Sequence, residues 1–345
     1  MLHELSAVRR TRLVLAAGAV ILATACGEAP PPPAPAAPLV KTAEQRVQFY
    51  LSCWSHFNGQ AWDQFGACYT DDAVSESVEG NPPALTPRAD VIARNKLEAA
   101  GFPDRRGELR LVLLNGEHVA SIALYTGTQT GPLPPGPDGT FMPATKKPIG
   151  LLIAHTAELN PAGSHVVRDA VYFEEATLAA QLGLSKAKAR PAEKPSGASP
   201  VIVIARNDET ERTNQAATRT MFETINKHDF ATISKALPDD YKLVEVAQPT
   251  DLDKKGALAN TKEMLGAFPD VAITPSTMWA AGDYVVAAGT FAGTNTGNIP
   301  SMGIRKTGKK VSVQFFEVMR YDKGQLKEDW LFYNGAAFAA QLTAK

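Results

Sequence analysis

Two stretches of this chain close in the same way: Tyr172-Phe-Glu-Glu-Ala-Thr-Leu-Ala-Ala-Gln-Leu-Gly183 and Trp330-Leu-Phe-Tyr-Asn-Gly-Ala-Ala-Phe-Ala-Ala-Gln-Leu342. Each reads as the end of a strand running into a short helix. Further matches lie upstream in the same order. Thr126-Gly-Thr-Gln-Thr-Gly131 recurs as Ala292-Gly-Thr-Asn-Thr-Gly297, and Phe102-Pro-Asp104 recurs as Phe268-Pro-Asp270. Lys146-Lys147 recurs as Lys309-Lys310. The offset drifts slowly along the chain, which fits a longer loop at 132–140 and a longer turn at 160–165 in the first half. Ordered repetition at this period is the mark of a tandem duplication.

Both halves share one plan. Each opens with a helix whose apolar residues fall three and four apart: Val47, Tyr50, Leu51, Trp54 and Phe57, then Thr218, Met221, Phe222 and Ile225. That spacing makes one buried helical face. Shorter helical stretches follow at 62–69 and 230–237. Asp71-Asp72 and Asp239-Asp240 read as turns, and third helices are expected at 88–100 and 254–267. Strands are expected at 109–113, 118–127, 149–159 and 166–173, and at 272–278, 284–291, 311–321 and 326–333. Asp322-Lys323-Gly324 joins the last two as a hairpin. Helices followed by an antiparallel meander predict an α+β class in two tandem domains.

The chain has 345 residues and a formal net charge of −1. That length suits two domains. The balanced charge argues against a nucleic-acid partner. The N-terminus reads as an export signal over residues 1–25: Arg9, Arg10 and Arg12, a short apolar core, then Ala23-Thr24-Ala25 before Cys26. This pattern resembles a bacterial lipobox, which implies cleavage and lipidation at Cys26, a membrane anchor there, and an exported protein at the outer membrane or periplasmic face if the host is Gram-negative. The bland alternative is an ordinary signal peptide containing a cysteine. Residues 26–41 form a Pro/Ala-rich tether, 42–185 a first domain, 186–200 a Lys/Pro/Gly/Ser linker and 201–345 a second domain. Export permits a disulfide between Cys53 and Cys68, with two buried thiols as the alternative.

The helices, the Phe-Pro-Asp turn, the Gly-Thr-x-Thr-Gly strand and the closing Ala-Ala-Gln-Leu together resemble SnoaL-like proteins, the polyketide cyclase or ester cyclase group of the nuclear-transport-factor-2-like α+β cone superfamily. The resemblance covers about 42–184 and 208–343. It implies two tandem cone-shaped domains, each a curved antiparallel sheet wrapped around its N-terminal helices and leaving a conical apolar pocket, and an acid/base Asp seven residues before the closing Gln. Glu174 and Asn334 stand there. Glu keeps a titratable carboxylate, whereas Asn cannot act as a general base. The family's second acid/base position falls at Ala157, with His155 two residues earlier on the same strand face. The resemblance therefore implies Glu174 and His155 as catalytic candidates in the first domain and a degenerate or ligand-binding second domain.

Tyr172, Glu317, Arg320, Trp330, Phe332 and Asn334 are ligand-binding candidates. Each has a plainer reading. Glu174 could be a solvated edge carboxylate, and His155 a hydrogen-bonded sheet histidine. Glu317 could pair with a base on a neighbouring strand, and Asn334 could bond backbone at a strand end. Trp330 and Phe332 share one strand face, lining either a pocket or a core. The six histidines show no metal-ligand spacing, so no metal is expected, and the aldol-type closure that the resemblance implies requires no organic cofactor. The function expected is binding of a small apolar carbonyl compound, with cofactor-free cyclase- or isomerase-type acid/base chemistry in the first domain. The alternative is a non-catalytic envelope binding or assembly module. The two domains are expected to pack as an intramolecular pseudo-dimer, or the chain as a homodimer.

Overall fold

A computed structural model describes residues 40–77, 84–133 and 142–344. The expected export signal, the lipidation site Cys26 and nearly all of the tether lie outside the described residues. No helix among the described residues is long and apolar enough to cross a membrane.

Each half is a cone-like α+β domain. The first runs α1 (Ala43–Asn58), α2 (Trp62–Gly66), β1 (Tyr69–Ser77), α3 (Arg88–Gly101), β2 (Arg106–Asn115), β3 (His118–Thr128), β4 (Pro148–Leu159), β5 (Val166–Tyr172) and α4 (Glu175–Gln181). After β6 (Val201–Ile204), the second runs α5 (Glu209–Asn226), α6 (Phe230–Ala236), β7 (Lys242–Glu245), β8 (Leu252–Asp253), α7 (Lys254–Ala267), β9 (Ala272–Ala281), β10 (Tyr284–Thr294), β11 (Lys310–Asp322), β12 (Gln325–Tyr333) and α8 (Gly335–Thr343). The sheet orders are β1-β5-β4-β3-β2-β6 and β8-β7-β12-β11-β10-β9.

The central meander is antiparallel as expected, but the sheets are mixed. β1 pairs parallel with β5, β6 with β2, and β7 with β12. Asp71 and Asp72 are not a turn: they lie within edge strand β1, where the register shifts between Tyr69 and Val74. An edge strand leaves one side free, so exposed carboxylates and an irregularity are tolerated there. Asp71 pairs with Arg88 at 2.5 Å.

The repeated motifs are joints. Asp104 accepts the Thr128 N–H at 2.7 Å, and Asp270 accepts that of Thr294 at 2.6 Å. Gly131 and Gly297 bring backbone against backbone: an added Cβ would lie 2.0 Å from the Ala100 carbonyl oxygen and 2.3 Å from that of Gly266. Gln181 brackets Gly150 by accepting its N–H and donating to its carbonyl, and Gln341 does the same to Ser312. Those two amides pin α4 and α8 to their sheets. Cys53 and Cys68 are joined as a disulfide, Cα atoms 6.0 Å apart, tying α1 to the end of α2.

Residues 187–199 are a bound strap rather than a free linker. Glu193 donates its N–H to Gly150 and pairs with Arg110. Glu108 accepts the N–H groups of Ser196 and Gly197. Arg190 reaches Asp251 at 2.7 Å and the Glu245 carbonyl at 3.3 Å. The segment then continues as β6, which extends the first sheet although the sequence reading assigned 201–204 to the second domain.

The two sheets pack against each other. Leu111, Leu113, Ile122, Leu152 and Tyr172 of the first meet Val244, Trp279, Val286, Phe316, Val318 and Phe332 of the second in one buried cluster. Alternate residues turn the other way, onto the helices. Val112 and Leu114 join the α1 core, while Phe315 and Met319 join the α5 core. The two halves thus share one core within the chain. Phe316 is fully buried and its ring centre lies 5.1 Å from that of Tyr172. Phe316→Ala should cost about 3–5 kcal/mol, read as a drop in the urea midpoint, with both domains still unfolding in one transition.

Candidate functional site

A cavity of about 420 Å³ lies inside the second cone. Its walls are mostly apolar, from Phe222 and Ile225 on α5, Met264 on α7, and Phe315 and Met319 on β11. The first cone carries larger side chains at matching positions, as helix α1 shows. Asn58 and Asn226 end α1 and α5 with the same paired bonds to backbone, at Gly107 and Ile273. That alignment puts Tyr50 opposite Thr218 and Trp54 opposite Phe222. Two large rings in the first helix thus become a hydroxyl stub and a smaller ring in the second.

Three carboxyl groups line the second cavity: Glu245 at the end of β7, Glu317 on β11 and Asp329 on β12. Met319, two residues from Glu317, pairs with Asp329 across the strands, so the two acids are diagonal neighbours on one face. Burial pushes the Glu317 carboxyl up. Asp329 is pushed well up, first by burial and then by the neighbouring Glu317 charge. Like charges at diagonal positions on one wall oppose each other's ionisation, and Asp329 Oδ1 has no hydrogen-bond partner among the described residues. Tyr241 donates its hydroxyl to Asp329 Oδ2 at 3.2 Å.

Glu245 sits apart from this pair. It accepts the Tyr333 hydroxyl at 2.6 Å and the Asn260 amide at 2.7 Å, and burial raises its pKa. Lys188 of the strap also lines the cavity.

The first cone carries the same positions with different chemistry. His155 faces Ser121 and Val171 across its neighbouring strands, as Glu317 faces Ala287 and Leu331. Asp169 matches Asp329, and Tyr69 matches Tyr241. Here the polar groups bond one another, with only Asp169 Oδ1 left without a hydrogen-bond partner among them. The Ser121 and Tyr50 hydroxyls are 2.8 Å apart, and Tyr50 meets His155 Nδ1 at 2.9 Å. His155 Nε2 lies 3.2 Å from Asp169 Oδ2, which also accepts the Tyr69 hydroxyl at 2.7 Å. The Trp54 ring packs against the imidazole at 5.9 Å. Burial pushes the Tyr50 hydroxyl too high to ionise.

Of the residues singled out from sequence, Glu317 alone lines the 420 Å³ cavity. His155 is a hydrogen-bonded sheet histidine within that closed network. Glu174 is 4% exposed but lies between the domains: Oε1 accepts the Ala176 N–H at 2.9 Å, capping α4, and Oε2 accepts the Gly335 N–H of α8 at 2.6 Å. Tyr172, Phe332 and Trp330 belong to the inter-sheet core. Arg320 pairs with Glu328 on β12 at 3.4 Å, and Asn334 caps α8 through the Ala337 N–H. Asp329, Glu245 and Tyr241 were missed. The duplication carried a signal for two of them, because Tyr69 and Asp169 recur as Tyr241 and Asp329. Among the described residues, no group of three His, Cys, Asp or Glu side chains is placed to hold a metal.

A family model, SnoaL-like polyketide cyclase, matches residues 215–342. Similar solved structures include AclR from Streptomyces galilaeus, at 23% identity over 38% of this chain and 82% of that one, with a TM-score of 0.35. A SnoaL-like protein from Jannaschia sp. CCS1 is 16% identical over 40% of this chain and 97% of that one, TM-score 0.38. TsrD from Streptomyces laurentii is 22% identical over 40% and 98%, TM-score 0.35. The curated proteins contain no match to the chain.

The carboxyl pair makes stability depend on pH. A carboxyl whose pKa is raised by folding stabilises the fold below its unfolded pKa and loses that contribution as pH rises through the folded value. The ordinary values here are 3.8 for Asp329 and 4.5 for Glu317. Stability should therefore fall from about pH 4 upward. Glu317→Gln removes the repulsion and should flatten that fall by about 1 kcal/mol or more at pH 8, measured by urea unfolding across a pH series.

Proposed function

We propose that the second domain binds a small, largely apolar carbonyl compound and exchanges a proton with it through Glu317 and Asp329. The observation that carries this reading is the pair of neighbouring acids on the wall of a roomy apolar cavity. The ionised carboxylate removes a proton from the carbon next to the carbonyl. The protonated partner, hydrogen-bonded by Tyr241, donates to the carbonyl oxygen, and an enol results. Return of the proton at another carbon gives an isomer, and attack of the enol carbon on a second carbonyl gives a ring. Desolvation suits both acids to the task, since it brings their proton affinity nearer to that of the reacting groups. Neither a metal nor an organic cofactor takes part in this scheme. The SnoaL-like match at residues 215–342 falls on this same domain.

This reading moves the chemistry from the first domain, where the resemblance suggested Glu174 and His155, to the second. Both oxygens of Glu174 and both ring nitrogens of His155 are occupied by protein partners. The hydrogen-bonded His155 and Glu174 favour a second reading for that half alone, a binding or assembly module without turnover.

The direct test is mass spectrometry of small molecules extracted from purified residues 41–345. A neutral carbonyl compound should recur, and should be lost when Ala257→Trp fills the cavity. Against that compound, Asp329→Asn should lower turnover by about 100-fold or more while binding persists. Unchanged turnover in this variant removes the acid pair from the mechanism.

We further propose that the chain is an exported lipoprotein held to a membrane through acyl groups on Cys26, a reading supported by the lipobox-like run before that residue. Cys26→Ala should release the protein into the soluble fraction; retention at the membrane would defeat the proposal.

A further inference from the structure

Arg105 follows the first Phe-Pro-Asp turn, and its side chain is fully buried. Its guanidinium carbon lies 4.2 Å from the centre of the Phe57 ring and 5.0 Å from that of Trp62. Nε, Nη1 and Nη2 donate no hydrogen bond to any of the described residues. The paired carboxylate is Glu98, whose Oε2 stands 3.9 Å from Nη1, too far for a hydrogen bond. The other Glu98 oxygen already accepts from Arg94 at 2.8 Å. Asp104, next in the chain, is turned to the Thr128 N–H. A guanidinium has five donors. Ring stacking satisfies its faces and leaves that edge of donors unmet.

The duplication shows where this edge stands. Arg105 matches Val271, and its neighbours Phe57, Glu98 and Tyr125 match Ile225, Met264 and Phe291. All four counterparts line the second domain's cavity. The guanidinium therefore occupies a wall position of the first cone, where the second cone is apolar. Trp62 is only half-buried and covers it on the solvent side. Burial pushes the Tyr125 hydroxyl up to about 12 while the Arg105 charge beside it pulls the other way, and that hydroxyl lies next to the cation.

We infer that the first domain is a second ligand site, taking an apolar monocarboxylate whose acid group pairs with the edge of Arg105. The carboxylate supplies the acceptors the protein does not, in the two-point geometry that guanidinium favours. The apolar body of the ligand packs on Phe57, Trp62 and Tyr125, and it enters by displacing the Trp62 ring. The two cones would then differ in charge preference: an acid in the first, a neutral carbonyl compound in the second.

The experiment titrates the full chain with phenylacetate, and with 2-phenylethanol as the neutral control. Phenylacetate should raise the unfolding temperature and saturate in calorimetry, and the alcohol should do neither. Arg105→Gln should weaken phenylacetate binding by about tenfold or more, while Glu317→Gln leaves it unchanged. Trp62→Phe keeps a ring in place and should abolish the change in tryptophan fluorescence without abolishing the heat of binding, which tests the location even if Arg105→Gln fails to fold. No saturable binding of phenylacetate overturns the inference. So does equal binding of the alcohol, undiminished binding in Arg105→Gln, or a full fluorescence response in Trp62→Phe.

Discussion

The packing of one sheet on the other governs everything else in this chain. Each sheet buries one face on its own helices and the opposite face on its neighbour, so neither face is free to solvate. Phe316, Phe332 and Val318 are buried only because Leu113, Ile122 and Tyr172 lie across from them. Burying such side chains is worth about 1.5–3 kcal/mol each. A single domain without its neighbour would expose that whole layer. The strap reinforces the pairing: Arg190 and Glu193 join the end of the first domain to both sheets, and Glu174 joins α4 to the start of α8.

On that shared frame the two cones have taken different interiors. The first closes a chain of hydrogen bonds from Ser121 through Tyr50 and His155 to Asp169 and Tyr69. The second replaces Ser121, Tyr50 and His155 with Ala287, Thr218 and Glu317, and the chain cannot form. Removing the tyrosine ring opens space, and exchanging imidazole for carboxylate sets two acids against each other. The Tyr–Asp bond common to both halves survives, as Tyr241 to Asp329. A hydrogen-bonded interior and an acid-lined cavity thus differ by a handful of side chains at matched positions.

Much of the fold was legible in the sequence because the repeated motifs are local joints. Phe-Pro-Asp bonds to Gly-Thr-x-Thr-Gly, and the closing Gln brackets a fixed backbone position, so both survive in recognisable form in each half. The edge strands were harder to see. β1 begins in a polar, irregular run, and β6 is a four-residue piece that pairs with a strand far behind it in the chain. The site was less legible still, for one physical reason. Strands buried on both sides lack the apolar/polar alternation that marks the inner face. Trp330 and Phe332 on β12 therefore looked like cavity lining, while Asp329 and Leu331, one residue out of phase, hold that place. Glu317 was recognised because a carboxylate amid FFEVM stands out wherever it points.

The pairing of the sheets has an evolutionary corollary. In an assembly of two identical chains, every substitution appears twice, and a change that opens one cone opens both. Joining the copies in one polypeptide abolishes that symmetry constraint. Tyr50 can stay in one half while Thr218 hollows out the other. Each copy is then free to line its interior differently, the second with three acids that a symmetric pair would have to carry twice.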